Sequence, residues 1–97
     1  MPRQGESKLS ITAEDQFSPQ ICFDLEPGGF EISIAGVFVA DVTLQRKFEG
    51  ESIWRDVHVW DEPSECIGEQ TVAETLWRLG VKTGDFSSGP IEVRLAQ

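Results

Sequence analysis

From Leu9 onward, apolar and polar residues alternate with a period of two. Leu9, Ile11 and Ala13 alternate with Ser10 and Thr12, and Ile21, Phe23 and Leu25 with Cys22 and Asp24. Phe30, Ile32 and Ile34 alternate with Glu31 and Ser33. A two-residue period turns one side of a strand to a core and the other to water, so each stretch predicts a half-buried strand. Glu26-Pro27-Gly28-Gly29 is a turn signal between the second and third, and a bend at Gly36 closes the third.

The fourth predicted strand is the longest, from Val37 to about Phe48. Phe38, Ala40, Val42 and Leu44 share one face, and Val39, Asp41, Thr43 and Gln45 the other. Glu49-Gly50-Glu51-Ser52 reads as a tight turn into a fifth strand, Ile53 to Trp60, which completes a hairpin. The phase of that strand puts Ile53, Val57 and Val59 on one side and Trp54, Asp56, His58 and Trp60 on the other. If Val57 and Val59 face the core, Trp54 and Trp60 face outward.

Residues 61–71 read as a polar, acidic connection containing Pro63 and Gly68. A strand follows from Val72 to Thr83, with Thr75, Trp77, Leu79 and Val81 in phase. The turn region Gly84-Asp85-Phe86-Ser87-Ser88-Gly89-Pro90 leads to a last strand, with Ile91, Val93 and Leu95 inward. No stretch holds a 3.6-residue period over three turns. The β-branched Thr71, Val72 and Thr75 favour strand where one helical turn is conceivable. Seven or eight short strands separated by turns predict a single all-β domain over residues 9–97, an antiparallel β-sandwich or a jelly-roll-like barrel. The polar first eight residues predict a loose arm, able to order on a neighbouring subunit.

The chain has 97 residues, which suits one domain with a core of its own. Seventeen acids against eight bases give a formal charge of −9. That balance argues against nucleic acid and against an anionic membrane surface, both of which attract clustered Lys and Arg. It favours solubility and resistance to indiscriminate association. Asp61, Glu62, Glu65, Glu69 and Glu74 fall in a stretch without Lys or Arg, a solvated face or one turned to a basic partner.

Two cysteines, Cys22 and Cys66, are too few for a disulfide framework, and no metal-binding Cys spacing is present. The start of the chain lacks the apolar segment of a signal peptide, and no apolar run approaches membrane-spanning length. The expectation is synthesis in the cytosol with both thiols reduced; a bond between them stays open.

Catalytic chemistry has little to stand on. The single histidine, His58, has Asp56 in its phase but no evident nucleophile beside it. Nothing singles out a carboxylate pair among the acids. The Asp61–Glu69 stretch does not follow the alternating ligand template of a calcium loop. Gly28-Gly29 and Gly84…Gly89 lack the Lys-Ser or Lys-Thr and the helix start of a phosphate loop. The chain is therefore expected to be no enzyme and to carry no cofactor or metal. The tryptophans are more telling: at least two suit the core, while any exposed ring would serve a sugar or a protein partner.

Two segments resemble small β-sandwich structural proteins of tailed bacteriophages and prophages. One runs Gly36-Val37-Phe38-Val39-Ala40-Asp41-Val42-Thr43-Leu44-Gln45-Arg46-Lys47-Phe48, closed by Trp54-Arg55-Asp56-Val57. The other is Leu76-Trp77-Arg78-Leu79-Gly80-Val81-Lys82-Thr83-Gly84-Asp85-Phe86, running on to Leu95. The resemblance covers roughly residues 28–97. The chain departs from it at the hairpin turn, which reads Glu49-Gly50-Glu51-Ser52-Ile53-Trp54, and at Trp77, where the pattern has Tyr.

The resemblance implies a virion component at the head, as decoration or fibre, or in a tail or adaptor position. Such a component is made in the host cytoplasm and acts by protein–protein assembly, as a homo-oligomer or on other capsid or tail proteins. Candidate contact residues are Trp54, His58 and Trp60 on the hairpin, Phe86 on the last turn, and Asp61, Glu62, Glu65 and Glu69. The alternative is a carbohydrate-binding module that uses exposed tryptophans.

Overall fold

The structure, a computed structural model, describes residues 6–22, 28–48, 50–70 and 75–96. The described residues contain eleven strands and no helix. They are β1 (Glu6–Ile11), β2 (Gln16–Phe17), β3 (Ile21–Cys22), β4 (Gly28–Ala35), β5 (Val39–Ala40) and β6 (Val42–Phe48). The rest are β7 (Arg55–Trp60), β8 (Ser64–Gln70), β9 (Thr75–Val81), β10 (Phe86–Ser88) and β11 (Ile91–Ala96). The excess over seven or eight comes from two- and three-residue strands, too short to show a period.

Two antiparallel sheets form the sandwich. One has the order β1-β11-β4-β8; in the other, β9 pairs β2, β3 and β6, and β6 pairs β7. A small β10-β5 ladder lies apart from them. The alternation in β4 and β11 delivers Phe30, Ile32, Ile34, Ile91, Val93 and Leu95 to the interior. From the other sheet come Val42, Leu44, Trp77, Leu79 and Val81, all buried in the same cluster. Removing such side chains from water is the main stabilising term of a fold this size. The Phe30 and Trp77 rings meet 4.8 Å apart, one from each sheet.

Four sequence expectations change. Strand β1 begins at Glu6, so Glu6, Ser7 and Lys8, expected in the arm, pair with Ala96, Leu95 and Arg94; residues 1–5 lie outside the described residues. The long fourth strand breaks at Asp41, whose N–H donates to the Asp85 carbonyl at 2.9 Å. Residues 64–70 are not a connection but β8, paired along its length with β4. As an edge strand its inward positions include Cys66 and Gly68, so no apolar alternation marked it. The predicted strand Ile21–Leu25 is seen at Ile21–Cys22, with 23–27 outside the described residues, as are 71–74 before β9.

The fourth change is in β7. Val42 faces Trp60 and Leu44 faces His58, but Gln45 faces Asp56, so the ladder slips one residue at a β-bulge. A bulge reverses which side the following residues take. Val57 and Val59, expected in the core, are exposed, while Trp60 packs against the core. Gly36 has φ +114°, and a Cβ there would come within 2.6 Å of the Pro90 carbonyl, so the bend after β4 requires glycine.

Candidate partner-binding surface

Residues opposite one another in an antiparallel ladder point to the same face. Gln45 faces Arg78, and Asp56 faces Gln45, so these three form a row on the outer face of the five-stranded sheet. Arg78 Nε donates to Gln45 Oε1 at 2.8 Å, and Gln45 Nε2 donates to Asp56 Oδ1 at 2.9 Å. Lys82 Nζ closes the row on Asp56 Oδ2 at 2.6 Å. The Arg78 guanidinium lies 4.0 Å from the Phe17 ring centre and 4.4 Å from that of Trp54. Lys47 Nζ stands 5.0 Å from the Trp54 ring. Trp54, which precedes β7, thus folds back over this face.

Gly80 makes the layer possible. A Cβ there would come within 2.2 Å of the Gln16 carbonyl and 2.7 Å of a Phe17 ring carbon. Phe17 occupies the space a side chain would take. Beside it Thr43, the register partner of Gly80, is fully buried, and its hydroxyl has no hydrogen-bond partner among the described residues.

The electrostatics follow the geometry. The hydrogen bond from Gln45, then that from Lys82, holds the Asp56 carboxyl below the usual aspartate range. Asp56 in turn raises Lys82. Burial lowers the Arg78 guanidinium and raises the Cys66 thiol.

The sequence candidates therefore separate. Trp54 belongs to the cation-stacked outer face. His58 and Trp60, on the far side of the bulge, stack on each other at 4.6 Å along the edge strand β7. Asp56 is committed to Gln45 and Lys82 and does not join His58. Phe86 packs against the core from β10. Asp61 and Glu62 are exposed where the chain crosses from β7 to β8, and Glu65 is exposed on β8. Glu69 takes its place in the β8 ladder opposite Gly29; its side chain lies outside the described residues. Free coplanar rings, which sugar stacking needs, are not what these tryptophans present: Trp54 carries cations, Trp60 half-buries against His58 and Trp77 is core.

Among the described residues, strands β7 and β8 are unpaired on one side and lie at the same margin of the sandwich, joined by Asp61-Glu62-Pro63. Val57 and Val59 on β7 and Ile67 on β8 are exposed along this margin, Ile67 at 72 %, with Val59 on the outer face of the five-stranded sheet and Ile67 on that of the other. Periodicity missed this margin because the bulge and the edge position both break the alternation.

Charge is also sorted along the five-stranded sheet. At the end where β6 starts and β7 finishes, Val39, Asp41, Asp61 and Asp85 line an open hollow. Glu14 accepts from the Gly84 N–H at that end, and Asp15 from the Thr83 hydroxyl. At the opposite end Arg46, Lys47, Phe48, Glu51 and Arg55 line a groove. There the Phe48 N–H holds the Glu51 carboxyl below its usual range, with Arg55 adding to the effect.

Compared with protein-family models, with curated proteins and with solved structures, the chain finds no match.

Proposed function

We propose that the chain is a non-enzymatic structural module that works by docking on other proteins, as a component of a bacteriophage particle. The observation that carries the docking part is the β7–β8 margin. Two adjacent edge strands leave backbone donors and acceptors without strand partners and expose Val57, Val59 and Ile67 beside Asp61, Glu62 and Glu65. Soluble proteins usually blunt such edges, and an apolar edge rimmed by charge is the anatomy of a contact surface. The placement in a virion rests on the resemblance of residues 36–57 and 76–95. A head decoration or head-fibre position comes first, with a tail or adaptor position next to it.

The test is mass spectrometry of particles purified from the host that carries the gene. The chain is expected among the stoichiometric particle proteins; its absence from purified particles overturns the virion reading. Val59→Asp combined with Ile67→Asp is expected to keep the fold and to lose incorporation.

A further inference from the structure

We infer that copies of this chain associate end to end, the basic end of the five-stranded sheet of one copy seating on the acidic end of the next. The inference goes beyond the docking reading above: it concerns the two ends of the five-stranded sheet rather than the β7–β8 margin, and its partner is a second copy of the chain.

The two ends are complementary in charge and both expose apolar side chains. One end carries Asp41, Asp61, Glu62 and Asp85, none with an ion pair among the described residues, beside Val39 and the 91 % exposed Val37. Among the described residues the base near it is Lys82, which pairs with Asp56 and is raised first by it and more weakly by Asp85. The other end carries Arg46, Lys47 and Arg55 around Phe48 and the 71 % exposed Ile53. Glu51 offsets part of that charge, and Glu49, outside the described residues, belongs to the same turn in sequence.

The ends cannot satisfy each other within one molecule. The six residues of β7 separate them, about 20 Å at the rise of an extended strand. A second copy stacked in the same direction brings the two together. The contact is heterologous, so it builds a ring if the rotation between copies closes and a filament if it does not. The net charge of −9 opposes association in any orientation, and the head-to-tail contact offsets it locally by setting opposite charges against each other.

Two charge-reversal variants test the inference. Asp41→Lys, Asp61→Lys, Glu62→Lys and Asp85→Lys together make both ends basic, even with Glu14 and Asp15 retained; Lys47→Glu with Arg55→Glu makes both acidic. Light scattering over a concentration series is expected to show wild type associating and each variant alone monomeric, weaker by on the order of tenfold or more. An equimolar mixture of the two variants is expected to associate again, because every junction is then complementary. Circular dichroism checks that each variant folds; where a reversal does not, the Asn and Gln replacements at the same positions take its place, and loss of association by both neutral variants is the expected result. A monomeric wild type overturns the inference, as does association by either variant alone or a mixture that stays monomeric. None of these touches the particle reading, which falls only on absence from purified particles.

Discussion

The guanidinium of Arg78 lies over the Trp54 ring, 4.4 Å from its centre, with the Phe17 ring 4.0 Å away. The residues come from β9, from the approach to β7 and from β2, so this single cation ties together three separate pieces of the five-stranded sheet. The same guanidinium donates to Gln45, which is itself buried.

Replacing Arg78 by Ala removes the stacking and leaves the Gln45 acceptor buried and unmatched. The expected cost is about 1–3 kcal/mol of stability, read from urea unfolding. Arg78→Lys recovers only part of it, since an ammonium lacks the planar fork. A loss below a few tenths of a kcal/mol would show the stack to be ornamental.

Thr43→Val is expected to stabilise the protein by up to about 1 kcal/mol. The Thr43 hydroxyl is buried with no hydrogen-bond partner among the described residues, and valine fills the same volume without a polar atom. A higher urea midpoint at unchanged slope is the expected result; a lower midpoint refutes it.

Gly80→Ala puts a methyl group against the Gln16 carbonyl and the Phe17 backbone, neither of which is the far end of a flexible side chain. The expected destabilisation is about 1–3 kcal/mol by overpacking. It is also expected to lower protection of the neighbouring β9 amides in hydrogen exchange, because β2 must move off.

The Asp56 carboxyl is held below its ordinary range by Gln45 and then by Lys82. A carboxyl lowered on folding contributes stability that is full above the unfolded value of about 4. That contribution is lost as pH falls through the lowered folded value. Asp56→Asn keeps an acceptor for Gln45 and removes the charge. Its stability is expected to fall below wild type at neutral pH and to converge with it as the pH drops below about 4.

The interior was legible in the sequence. Phe30, Ile32 and Ile34, then Thr75, Trp77, Leu79 and Val81, then Ile91, Val93 and Leu95 alternate in long central strands, where one side must be apolar and nothing competes with that demand. The margin was not. At β7 one inserted residue near Val57 inverts the phase, so a strict period assigned Val57 and Val59 to the core and Trp60 to water. At β8 the outward position holds the apolar Ile67 and the inward ones Cys66 and Gly68, so no alternation marks a strand and the stretch reads as a polar connection. The hairpin itself was readable from its turn; that Trp54 and Trp60 lie on opposite faces was not. The stack on Arg78 depends on residues far apart in the chain, and no local pattern announces it.

Glu6 pairs with Ala96, and β11 fills the gap between β1 and β4. The first strand therefore has no hydrogen-bonding neighbour in its sheet until the last one has arrived. On a ribosome, residues 6–11 wait for β11, and so for nearly the whole domain, to be synthesised. Closing so long a loop is entropically slow, so folding belongs to the millisecond-to-second regime of sandwiches rather than to the faster regime of helical bundles. During that delay β1 is an extended segment available to whatever meets it first.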